Sequence, residues 1–130
     1  MILLDTNVIS EPMRREPEAR VLAWLDRQPS ETLFLSAITV AEIRKGIALL
    51  PAGKRQTLDK LLLPMFHGRI LPFDIHTTPA YASVTAHAAA AGCTIAPADG
   101  FIAAIALQHH FSVATRDTHP FQAAGLDVIN

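Results

Sequence analysis

The chain has 130 residues and a formal net charge of −1; half of it is hydrophobic and 18% is charged. That is enough apolar material for one domain, residues 1–130, and too little net charge for bulk attraction to a polyanion. One cysteine, Cys93, excludes an intramolecular disulfide and a cysteine-built zinc site, and with no basic leader and no long apolar run the expectation is a cytoplasmic protein without a membrane span.

In chain order, residues 2–5 (ILLD) form a short apolar run expected to be a buried strand. Arg20 to Arg27 places Val21, Leu22 and Leu25 on one helical face, with Trp24 at helical spacing from both arginines. Residues 33–37 (LFLSA) read as a second strand, followed by a helical stripe of Val40, Ile43, Ile47 and Leu50. Thr57 to Phe66 is a Leu-rich helix and 70–74 (ILPFD) a third strand. Two Ala-rich helices, Thr78 to Ala91 and Gly100 to His110, precede strands at 112–115 (SVAT) and 126–129 (LDVI). Nine prolines punctuate these segments. Strands alternating with helices predict parallel βαβ units, hence a three-layer α/β/α sandwich around a mainly parallel five-stranded sheet. In such a sheet ligands bind at the carboxyl ends of the strands.

Four of the twelve acids fall at those ends. Asp5 closes the first strand, and Asp117 follows the fourth by two residues. Asp99 starts the helix leading into the fourth strand, and Glu42 lies early in the helix after the second. On its helix Glu42 flanks the apolar stripe, beside Gly46 and Leu49, and is expected to face away from open solvent. Carboxylates held this close repel one another, and a divalent cation resolves the conflict. Mg²⁺ takes oxygen ligands, retains waters and binds phosphate oxygens, which suits hydrolysis of a nucleic-acid backbone. Each acid also has a local reading. Asp99 and Asp5 can cap helices, Glu42 can pair with Arg44 or Lys45, and Asp117 can be a turn residue.

Other chemistries are weaker. The six histidines lack metal or catalytic spacing, and His109-His110 suits a helix C-terminus. Ser10 and Ser36 have no nucleophile elbow, and no nucleotide-binding glycine run occurs. A receiver-like signalling domain would use Asp74 as phospho-acceptor but needs a later lysine, and none follows Lys60. Ten of the eleven Lys and Arg lie between Arg14 and Arg69, so a nucleic-acid ligand would favour the face built by the first half.

The segments carrying the four acids resemble PIN-domain toxins of the VapC/FitB-like type. The resemblance rests on Leu4-Asp5-Thr6-Asn7-Val8-Ile9-Ser10-Glu11, on Ser36 to Ile47 around Glu42, on Ala96 to Ala104 around Asp99, and on Ala114-Thr115-Arg116-Asp117 with Phe121 and the tail Gly125 to Asn130. These occur in family order and span nearly the whole chain. The resemblance implies the toxic half of a type II toxin–antitoxin pair, an Mg²⁺-dependent endoribonuclease with Mn²⁺ able to substitute. It implies an RNA substrate, products with 5′-phosphate and 3′-hydroxyl ends, a homodimer, and a cognate antitoxin that supplies any DNA contact. Asp5, Glu42 and Asp99 would form the acidic triad, with Asp117 the fourth acid; Asp5 and Asp99 would ligate metal, and Arg116 would contact phosphate. One departure stands out: many relatives have Asn at the Asp117 position and an acid just before the Phe, where this chain has Pro120. The alternative function is a weakly active subunit serving mainly as the antitoxin-binding half of a DNA-binding autorepressor.

Overall fold

The computed structural model describes residues 1–49 and 58–130. Five parallel strands, β1 (Ile2–Leu4), β2 (Leu33–Ser36), β3 (Ile70–Leu71), β4 (Ser112–Ala114) and β5 (Val128–Ile129), form one sheet in the order β3-β2-β1-β4-β5. All five expected strands are present, and the sheet is wholly parallel among the described residues. Both edge strands are shorter than the apolar runs suggested. β3 stops before Pro72, which has no N–H to give a ladder. β5 begins only after the Gly125 turn, where φ is +87°.

Alternation along the strands divides the core into two layers. Leu3, Phe34, Leu71, Val113 and Val128 face one side, where they meet helices α5 (Thr78–Ala90), α6 (Pro97–His109) and α7 (Thr118–Ala123). Leu4, Leu33, Leu35, Ala114 and Ile129 face the other. There they meet α1 (Thr6–Ile9), α2 (Ala19–Arg27), α3 (Ala37–Ile47) and the segment in which a π-helical turn, Leu58–Leu62, runs into α4 (Leu63–Met65). The expected helix from Thr57 and the Leu50 end of the α3 stripe lie partly outside the described residues; Ile43 and Ile47 of that stripe are buried.

Local signals explain where the helices begin. The Ser36 hydroxyl accepts the Thr39 N–H at 3.0 Å and caps α3 at the carboxyl end of β2. α6 starts three residues earlier than the sequence suggested. Pro97 takes its first position, where a missing N–H costs nothing, and its N-cap is Ala96, without a capping side chain. Its other end turns through His110 in the left-handed region, φ 58°, so that Phe111 N–H returns to Ala106 O at 2.9 Å.

Candidate active site

The strand order reverses between β1 and β4: β1 continues outward to β2 and β3, β4 to β5. Such a reversal opens a crevice beyond the carboxyl ends of the two central strands. Asp5 and Thr115 are the first residues past those ends, locked side by side because Asp5 N–H donates to Ala114 O at 2.9 Å. Asp5 is 5% exposed. Its Oδ1 accepts the Thr6 N–H at 2.8 Å, so it does cap the short α1. Its Oδ2 accepts the Thr115 hydroxyl at 2.8 Å. Capping and site membership therefore coexist. The same Thr115 oxygen accepts the Asp117 N–H at 3.0 Å and lies 3.4 Å from Asn7 Nδ2, while Asn7 Oδ1 accepts the Arg116 N–H at 3.1 Å. Thr115 and Asn7 thus fix the turn that presents Asp117.

Glu42 is exposed, contrary to the expectation that its helix face turns it from solvent. The helix points it over the crevice, which is open, and the Thr6 hydroxyl donates to its Oε1 at 2.6 Å. Thr39, fully buried beneath, lies 3.2 Å from the same hydroxyl. The local alternative, an ion pair with Arg44 or Lys45, does not form; Arg44 pairs with Asp59 instead, at 3.1 Å. Asp99 is the third residue of α6, so the N-cap reading fails for it. Among the described residues its carboxyl has no hydrogen bond and no cationic partner.

Electrostatics tie the four acids together. Burial pushes the Asp5 carboxyl above its ordinary value, its Thr115 and Thr6 hydrogen bonds pull it back, and the charges of Glu42 and Asp117 raise it further. Asp99 is raised to about 6, first by burial, then by Asp5, Asp117 and Glu42. Among the described residues no Lys or Arg pairs with any of the four. The donor set suits a hard cation: all oxygen, mutually repelling and without a competing base. Among the described residues no three His, Cys, Asp or Glu side chains close into a ready-made cage.

Arg116 is less available than the sequence suggested. Its guanidinium lies 2.9 Å from Glu11 Oε2 and 3.8 Å from Glu18 Oε2. Glu11, 2% exposed, also accepts the Glu18 N–H at 2.9 Å and pairs with Arg14 at 3.2 Å. The Glu18 amide and the two arginines hold its carboxyl below its ordinary value. Glu11, Thr6, Asn7, Thr39 and Thr115 also build this edge, and position relative to the strand ends did not single them out. Their signal was adjacency: Thr6 follows Asp5, Thr115 precedes Asp117 by two, and Glu11 ends the first segment.

The PIN domain family model matches residues 2–126. The chain is 64% identical to the plasmid stability protein StbB of Pseudomonas syringae pv. tomato, over the whole chain and 97% of that protein. It is 57% identical to the VapC ribonuclease Y4jK of Sinorhizobium fredii, over the whole chain and 96% of that protein. With toxin FitB of Neisseria gonorrhoeae the identity is 54%, over the whole chain and 97% of that protein. The crystal structure of FitAcB from Neisseria gonorrhoeae superposes with a TM-score of 0.95 at 53% identity, over the whole chain and 97% of the matched chain. A structure of FitAB bound to an IR36 DNA fragment also gives 0.95, at 52% identity, over the whole chain and 94% of the matched chain. A family model matched over residues 2–126, relatives 54–64% identical over the whole chain and a superposition at a TM-score of 0.95 make this protein a member of the PIN-domain family, in its branch of VapC and FitB toxins.

Proposed function

We propose that the chain is the toxic component of a type II toxin–antitoxin pair and acts as a metal-dependent endoribonuclease. The observation that carries the mechanism is the unpaired carboxyl of Asp99, raised to about 6 and facing the charges of Asp5, Glu42 and Asp117. A site that concentrates negative charge without a base is poised for a cation, and Mg²⁺, with Mn²⁺ as substitute, is the ion that oxygen donors and a phosphodiester substrate favour. Asp5 and Asp99 would hold it, and the ion would supply charge neutralisation at the phosphate and lower the pKa of a water. Thr115 keeps the Asp5 carboxylate in one orientation. Glu42, steadied by Thr6, and Asp117, presented by its turn, would orient water and take up its proton. Arg116 would touch phosphate only if substrate draws it from Glu11 and Glu18.

The named relatives, a VapC ribonuclease and toxin FitB, support RNA as substrate and toxicity as outcome. The FitAB complex on DNA supports a cognate antitoxin through which DNA is reached, and a homodimer accords with the family. Residues 1–130 would work as one domain in the cytoplasm, where the RNA is. No described helix is long and apolar enough to cross a membrane.

The test is cleavage of RNA by purified protein, with Mg²⁺ and with chelator, alongside growth of cells expressing it without its partner. Asp5→Asn and Asp99→Asn should each lower the cleavage rate by about a hundredfold or more and relieve growth arrest. Undiminished toxicity of Asp99→Asn at matched expression would overturn the mechanism.

A further inference from the structure

Beside the crevice lies a groove of about 550 Å³ between α2 and the ends of β4 and β5. Its α2 wall carries Arg20, Trp24 and Arg27, a spacing of four and three that puts all three on one helical face. Opposite them stand Thr115 and Arg116. Thr115 belongs to both places, since its hydroxyl donates to Asp5. The groove and the carboxylate crevice therefore adjoin at Thr115.

The groove gathers cations that carry no carboxylate partner among the described residues. Arg14, Arg44 and Arg69 are committed elsewhere: to Glu11, to Asp59, and to the carbonyls of Ser30, Leu33 and Met65. Arg20 and Arg27 are exposed, and neither pairs with a carboxylate among the described residues. Three guanidinium groups line the groove against one acidic side chain, Glu18, which already shares Arg116. Trp24 is partly buried against the Leu4 layer yet still lines the groove, between the two unpaired arginines. An indole flanked by free cations matches what an unpaired nucleotide chain offers, a planar base between two phosphates.

Resting on the ribonuclease reading, we propose that this groove is a subsite for single-stranded RNA flanking the scissile phosphate, with Trp24 stacking a base and Arg20 and Arg27 holding the backbone. A duplex would bring neither an unstacked base nor a strand thin enough for the groove, so the subsite selects unpaired RNA.

Trp24 is the only tryptophan, so its emission reports the groove directly. In chelator, which stops cleavage, a fluorescein-labelled oligouridylate of about 12 nucleotides should bind and saturably quench that emission, while a duplex of equal length should not. Under cleavage conditions Trp24→Ala should raise KM for the single strand about tenfold with kcat within about twofold, and Trp24→Phe should restore most of the loss. Arg20→Gln with Arg27→Gln, both exposed and harmless to the core, should lower the slope of log affinity against log salt by about 1.4. A parent that cleaves RNA without quenching of its emission, while the Trp24 variants keep its KM and the arginine double variant keeps its salt slope, would overturn the subsite and leave the ribonuclease standing. A parent that neither binds nor cleaves RNA would overturn both. If RNA leaves the emission unchanged while the variants lose affinity for the antitoxin encoded beside the gene, the groove belongs to the protein partner and the RNA subsite falls.

Discussion

Helices α5 and α6 and the crevice at β1 and β4 are built on opposite plans. Where the two helices meet, Ala88, Ala103, Ala104 and Ala106 are completely buried, and Val84, Ile102 and Ile105 fill the space beside them. Small side chains let the helix axes approach, and the contacts among these residues are apolar and stabilising. Yet Asp99 stands on the first turn of the same α6 whose middle forms this interior, and there every neighbouring charge repels it. One helix thus spends the stability gained along its middle on holding an unfavourable carboxyl at its tip. The lesson is that the crevice is the strained part of a relaxed molecule.

The strongest way to break this contrast is on the apolar side. Phe121, fully buried against α5 and α6, should cost about 3–5 kcal/mol when changed to Ala, measured by urea denaturation, while cleavage per folded molecule stays near that of the parent. Next comes the effect of metal. Millimolar Mg²⁺ or Mn²⁺ should stabilise the parent by about 2.7 kcal/mol at a hundredfold excess over Kd, and Asp99→Asn by much less.

A smaller effect follows from pH in chelator. Asp99 has a folded pKa of about 6 against an ordinary 3.8, so the folded state holds its proton more tightly than the unfolded. Its contribution is therefore fully present below about pH 4 and is lost as pH rises through about 6. Screening at this half-exposed carboxyl reduces the loss to about 1 kcal/mol, and Asp99→Asn should remove it. Glu11 works in the opposite sense: its lowered pKa stabilises above its ordinary value of 4.5, and that gain disappears on acidification. Glu11→Gln should flatten the acid limb and leave the fall near pH 6 untouched. The smallest change is Gly46→Ala. A methyl there meets no atom within 4 Å, so it should stabilise α3 by about 0.5–1 kcal/mol without touching the crevice, read by the same denaturation.

Much of this was legible in the residues because strand and helix periods differ. The alternation Leu3-Leu4 and Val113-Ala114 gives both core layers, and acids placed just past such runs fall on one edge once the strands are parallel. What stayed hidden depends on contacts distant in sequence. Nothing local says that Arg116 meets Glu11, which is 105 residues away in the chain. Glu42's exposure depends on an open crevice that its own helix does not build. The start of α6 does carry a local signal, since Pro97 suits a first helical position and places Asp99 inside the first turn, past the cap.

The two-residue edge strands carry a consequence for the free protein. A sheet margin with unsatisfied amides and carbonyls is a template on which a foreign chain can polymerise. Here one margin ends at Pro72, and the other offers only Val128 and Ile129. A toxin released from its partner would therefore give cross-β growth little backbone to copy at either described margin.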